Sequence, residues 1–332
     1  MRRYYIFHVI TVLLFSACKQ PGMKTIGTIE QADSSLLSII SKDAKVEVIA
    51  EGFDWSEGPL WIPGANMLLF SDIPQNKICK WTEAGGLETY LTPSGYTGAK
   101  PRGGELGSNA LILDKQGRLV MCQHGDRRMA RMDAPLDHPA SRFVSLADNY
   151  DGKKFNSPND AVFRSNGDLF FTDPPYGMEQ QEKDPARELP FHGVFKVSTD
   201  GKVTLLTDTL TRPNGLAFTP DEKTLIVANS DPNKAVWYMF DIAENDSLVN
   251  PRLLRDVTEE AKTETGLPDG FKIDRQGNIF ATGPGGVWIF NSGGKLLGKI
   301  KAPVATSNCA LAEDDKVLYI TADNYVLRVK MR

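Results

Sequence analysis

Arg212-Pro213-Asn214-Gly215-Leu216-Ala217-Phe218-Thr219-Pro220-Asp221-Glu222-Lys223-Thr224-Leu225-Ile226-Val227-Ala228-Asn229 is a compact phrase: a polar opener, a small residue, an apolar run, a tight polar turn and a second apolar run. The phrase occurs six times along the chain, with openers Glu57, Asn109, Asn159, Asn214, Asp269 and Asn308. The runs that follow are short (Ala110-Leu111-Ile112-Leu113, Asp160-Ala161-Val162-Phe163), and each gives way to a turn such as Gln116-Gly117, Asn166-Gly167 or Gln276-Gly277. Openers are spaced 52, 50, 55, 55 and 39 residues apart. A repeat of that length made of short strands is the size of one four-stranded propeller blade. The expected fold is therefore all-β, a six-bladed β-propeller around a central channel.

At 332 residues the chain is long for one ordinary core, yet no linker divides it after the first forty residues. A ring of small stacked sheets reconciles the two. The 41% apolar content, with 29 Gly and 20 Pro, suits an all-β chain rich in turns. The formal net charge is −4 with both signs mixed along the chain, and there is no basic tract to recruit nucleic acid. The last blade is short of strands, so Val46-Glu47-Val48-Ile49-Ala50 is expected to complete it and close the ring.

The N-terminus reads as targeting. Arg2-Arg3 precedes an apolar run from Tyr4 to Phe15 and then Ser16-Ala17-Cys18, too short to span a bilayer permanently. Small residues before a Cys resemble a lipobox, so residues 1–18 are an export signal with Cys18 as lipidation site; a plain cleaved signal is the alternative. Residues 19–42 are expected to be a tether and 43–332 the propeller, placing the protein in the cell envelope with membrane contact through the lipid alone. Cys79, Cys122 and Cys309 are far apart and lie in apolar strands, which marks them as buried free thiols rather than a thiol metal site.

If each opener begins an innermost strand, the six side chains converge on one mouth. Antiparallel second strands then deliver Asp72, His124, Asp173, Asn229 or Ser230, Gly283 and Asp323 to the same face. The inner ring is two carboxylates and four amides, hard oxygen donors of the kind Ca²⁺ takes, with Mg²⁺ next. Asn and Asp also cap strand starts as ordinary turn residues, but six in one register point to a functional mouth.

Ser56-Glu57-Gly58-Pro59, Ser157-Pro158-Asn159-Asp160, Arg212-Pro213-Asn214-Gly215 and Pro268-Asp269-Gly270 resemble the four signatures of the gluconolactonase/regucalcin (senescence marker) family. Gln123-His124-Gly125-Asp126-Arg127-Arg128, Gly152 to Asp160 and Phe171-Thr172-Asp173-Pro174-Pro175-Tyr176-Gly177 are most similar to its bacterial gluconolactonase branch. The likeness runs from about residue 45 to the C-terminus. One departure is Ala110 after Asn109, where that branch more often has Gly. The resemblance implies one divalent metal in the channel: Ca²⁺ is the expected ion, with Mg²⁺, Mn²⁺ and Zn²⁺ as alternatives. Glu57, Asn214 and Asp269 match its ligands, and Asn159 a fourth ligand or substrate contact.

Such a site implies hydrolysis of a small sugar lactone to the aldonate, with the metal polarising the carbonyl and Asp269 as general base or as ligand only. Asn109, Arg102, Glu105, His124, Asp173, Tyr176 and Asn308 are the candidate substrate contacts. Two other readings stay open: a phosphotriesterase of the diisopropyl-fluorophosphatase kind, and a non-catalytic envelope propeller that binds sugars or a protein.

Overall fold

The computed structural model describes residues 1 and 23–332. The export-signal reading and Cys18 fall outside them. Among the described residues no helix is long and apolar enough to cross a membrane.

Six sheets, each built around four antiparallel strands in a meander, make the blades. Their first strands are Ser56–Ile62, Ser108–Leu113, Ala161–Phe163, Pro213–Phe218, Phe271–Ile273 and Asn308–Ala312. Each first strand packs against the next, and the sixth returns to the first, so these strands line the channel. The opener of every repeat lies at or just before the start of such a strand, as the repeat predicts.

The ring closes through Val46–Glu51, which pairs antiparallel with Tyr325–Lys330 in register Val46↔Val329 to Glu51↔Tyr325. An N-terminal strand completing the C-terminal blade leaves no unpaired edge at the seam. Arg328 reinforces it, binding Glu47 at 2.7 Å while its guanidinium lies over the Trp81 ring of blade one.

Large side chains fill the wedges between blades. Phe53, Phe70, Trp81 and Tyr319 occupy the seam between blades six and one, Phe155, Phe171 and Phe195 the wedge around blade three, and Trp237, Trp288 and Phe290 that between four and five. Equivalent turns use equivalent chemistry. The Oδ1 of Asp114 accepts the backbone N–H groups of Gln116 and Arg118, and that of Asp274 those of Gln276 and Asn278. The short last interval between openers comes from blade five, where Ile279–Gly283 and Gly286–Phe290 are joined by a two-residue turn. Cys79, Cys122 and Cys309 are buried free thiols, and burial raises the pKa of each.

The tether reading needs correction over most of its length. Thr28–Gln31 adds a fifth strand to blade five, pairing with Leu296–Lys301. A short 3₁₀ turn, Ser34–Ser38, follows, and Leu36 and Ile40 are each only 1% exposed in the core shared by blades five and six. The segment covers an edge strand through its backbone and anchors itself with two apolar side chains. The folded domain therefore takes in the chain from Thr25 onward, where Thr25 bridges Glu47.

Candidate active site at the channel mouth

Glu57, Asn109, Asn159, Asn214 and Asp269 line one cavity of about 450 Å³ at the mouth, together with Trp55, Glu105, Tyr176, Ser230, Glu264 and Thr306. Hydrogen bonds fix how the amides face. The Ser230 hydroxyl donates to the Pro268 carbonyl, so it accepts from Asn214 Nδ2 at 3.0 Å and leaves Asn214 Oδ1 toward the cavity. The Oδ1 atoms of Asn109, Asn159 and Asn214 are all buried without a hydrogen-bond partner in the protein. Leaving one such oxygen unpaired costs about 1–3 kcal/mol. Three around a single cavity beside two carboxylates make a set of hard donors looking for a common partner.

Backbone proximity allows this convergence. A Cβ on Gly58, at φ +56°, would lie 2.2 Å from the Asn109 carbonyl oxygen, and one on Gly270 would overlap the Asn308 side chain. Glycine lets neighbouring blades approach that closely.

Electrostatics point the same way. Burial, followed by Asp160, raises the pKa of Glu57; burial, followed by Glu57 and Asp160, raises that of Asp269. Asp160 is itself buried, its pKa raised by that burial, and its Oδ2 has no partner in the protein. The opposing charge is Lys272, which comes from the inner strand of blade five and donates to Asn308 Oδ1 at 3.1 Å. Asn308 Nδ2 in turn donates to Glu57 Oε2 at 3.2 Å. Three carboxylates against one ammonium make the throat acidic, and a divalent cation would favour their ionised forms. Among the described residues no three His, Cys, Asp or Glu side chains form a metal cluster. The donor set here is two carboxylates with amides, which suits Ca²⁺ or Mg²⁺ better than a softer ion.

Several expected contacts are placed elsewhere. Asp173 is fully buried and accepts the backbone N–H groups of Asn156 and Ser157, both at 2.8 Å, which grips the chain just ahead of Asn159. Asp72 does the same for Asp54 and Trp55, and Asn229 for Arg212. The second polar layer is thus mainly a set of backbone clamps, and Ser230 is its member on the cavity wall. His124 is fully buried and meets the cavity only through Glu105, whose Oε2 lies 3.1 Å from its Nδ1. Arg102 donates to the carbonyls of Gly125 and Gly177 and braces the long second-blade loop. Asn308 sits beneath the cavity between Lys272 and Glu57. Tyr176 does line the cavity; burial raises the pKa of its phenol and Arg212 lies over its ring, 5.7 Å from the centroid.

The family model for the SMP-30/gluconolactonase/LRE-like region matches residues 55–324. The chain belongs to this family. It is 39% identical over 315 residues to a gluconolactonase of Zymomonas mobilis, covering 93% of this chain and 87% of that one. It is also 27% identical to the pentonolactonase XacC of Haloferax volcanii, covering 80% of each. A solved gluconolactonase from Xanthomonas campestris superposes with a TM-score of 0.78 at 29% identity, covering 95% of this chain and 99% of that one. The family match spans all six openers, so the mouth that carries the unpaired oxygens lies wholly inside the shared region.

Proposed function

We propose that this protein hydrolyses a sugar lactone to the aldonic acid, with one divalent cation, Ca²⁺ foremost, held at the mouth by Glu57, Asn159, Asn214 and Asp269. The observation that carries the reading is the set of unpaired amide oxygens facing two carboxylates in one acidic cavity. Relatives named for gluconolactone and pentonolactone hydrolysis favour a lactone over a phosphotriester. The cation, when bound, supplies Lewis-acid polarisation of the lactone carbonyl.

The remaining chemistry belongs to side chains. Asp269, half-buried on the cavity wall, takes the proton of the attacking water. Addition at the carbonyl is followed by cleavage of the ring C–O bond; the proton held by Asp269 passes to the departing ring oxygen, which leaves as a hydroxyl, and the carboxylic acid formed ionises to the aldonate. Thr306, lining the same cavity with its Oγ1 buried and unpartnered in the protein, is placed to bond a substrate hydroxyl. Trp55 and Leu267 give the ring an apolar wall. Asn308 and Lys272 hold the Glu57 carboxylate from below and do not touch substrate.

Calorimetric titration with Ca²⁺ and hydrolysis of glucono-1,5-lactone test this together. Asp269→Asn should weaken cation binding and lower kcat by about 10²–10⁴-fold. Wild-type rate and affinity in that variant would refute the assignment. On sequence alone we also propose export and lipid attachment at Cys18.

A further inference from the structure

A second cavity of about 550 Å³ lies on the mouth face, immediately outward of the site between blades three and four. Its walls come from the segment before Gly193–Val197, the segment before Pro213–Phe218 and the turn after Thr224–Asp231. Pro232 belongs to both cavities, and Arg212, stacked over Tyr176, stands at their shared wall. The two spaces are neighbours along one surface.

His192 is the informative group. It is 8% exposed, its Nδ1 lies 2.5 Å from the Thr211 carbonyl oxygen, and its Nε2 has no partner in the protein. A carbonyl can only accept, so Nδ1 carries the hydrogen and Nε2 is a lone-pair acceptor. Burial lowers the imidazole pKa and keeps it neutral. The groove wall therefore holds a fixed acceptor for which the protein supplies no donor.

The charges describe that ligand further. Glu182, Asp208 and Asp231 outnumber Arg187 and Arg212 along the walls. Arg212 is already bound to Glu182 at 2.7 Å, and Arg187 donates to Asn156 Oδ1 and the Glu182 carbonyl. The Arg212–Glu182 pairing leaves Asp208 and Asp231 against Arg187 alone, so the groove stays net acidic and disfavours a phosphate or carboxylate. Carboxylates and an imidazole acceptor suit a neutral molecule rich in hydroxyl donors.

We infer that this groove is a subsite for a second sugar ring, so that the protein takes glycosyl-substituted aldonolactones with the lactone in the mouth and the neighbouring sugar against His192. The inference rests on the lactonase reading of the mouth. The reaction is unchanged: water adds to the lactone carbonyl, the ring C–O bond breaks, and the glycosidic bond is left intact.

The test compares cellobiono-1,5-lactone with glucono-1,5-lactone for the wild type, His192→Phe and Thr209→Trp. Thr209 is exposed on the groove wall, so the tryptophan fills the space without entering the core. The expected result is hydrolysis of both lactones by the wild type. The ratio of kcat/KM, disaccharide over monosaccharide, should fall about tenfold in each variant, the size of one to two lost hydrogen bonds. Calorimetric binding of cellobionate against gluconate gives a readout independent of turnover and should lose its disaccharide preference in Thr209→Trp. An unchanged ratio in both variants, or no disaccharide preference in wild-type binding, overturns the subsite. Hydrolysis of neither lactone refutes the lactonase reading, and the binding comparison still decides the groove.

Discussion

Thr306→Val should make the protein more stable and a poorer sugar lactonase at once. Thr306 is 2% exposed on the cavity wall, and its hydroxyl has no partner in the protein. An unpaired buried hydroxyl costs about 1–3 kcal/mol, and valine replaces it with a methyl of similar volume. The variant should therefore gain about 1–2 kcal/mol, which in a chain of this size raises Tm by roughly 2–3 °C. The same hydroxyl is assigned to a substrate hydroxyl, a bond worth about 1 kcal/mol. Its loss should lower kcat/KM for glucono-1,5-lactone about fivefold, and δ-valerolactone, which has no ring hydroxyls, should react at an unchanged rate. Differential scanning calorimetry and pH-stat kinetics read the two effects separately. A lower Tm with no change in the ratio of the two lactones would refute the reasoning, because it would make the hydroxyl a satisfied structural group.

Three further outcomes can be measured. Glu57 is pushed from an ordinary 4.5 to about 8. The folded state of the cation-free protein then binds more protons than the unfolded chain across that range, so its stability falls as pH rises from about 4.5 to about 8. Excess Ca²⁺ should remove most of that slope in thermal melts, leaving the part due to Asp173, at about 7 and outside the site; equal slopes with and without the ion would contradict the charge argument. Removing residues 23–42 strips Leu36 and Ile40 from the core and uncovers Leu296–Lys301, costing about 3–6 kcal/mol, which denaturant titration against the 23–332 protein measures. Palmitate labelling in a bacterial host should be lost in Cys18→Ser; equal labelling of both chains would rule out that anchor.

The sequence carried the channel better than its surroundings. Six openers in register are visible because a propeller repeats its inner strand, so Glu57, Asn109, Asn159, Asn214, Asp269 and Asn308 could be placed at one mouth from spacing. Which of them reaches the cavity was not legible, since Asn308 is turned under the mouth by a hydrogen bond from Lys272, a residue of another blade. Asp160 was hidden for a related reason: it follows an opener and reads as turn chemistry, yet it is buried beside Glu57 and Asp269. A carboxylate directly after the Asn159 opener, opposite a lone inner-strand lysine, was the available signal. Asp173 ends a second strand as expected, but two backbone N–H groups nearby claim its carboxylate. Residues 24–42 looked like a tether because their pairing is made by backbone, and only Leu36 and Ile40 bury fully. Thr306 and Glu264 stand on connecting segments outside the repeat, where periodicity gives no guidance.

The most direct measurement is pH-stat hydrolysis of glucono-1,5-lactone by the 23–332 protein, stripped of metal and then restored with Ca²⁺, Mg²⁺, Mn²⁺ or Zn²⁺. The account predicts a rate that vanishes on stripping and returns with a divalent ion, at a stoichiometry of one per chain. Full activity in the stripped protein would contradict it.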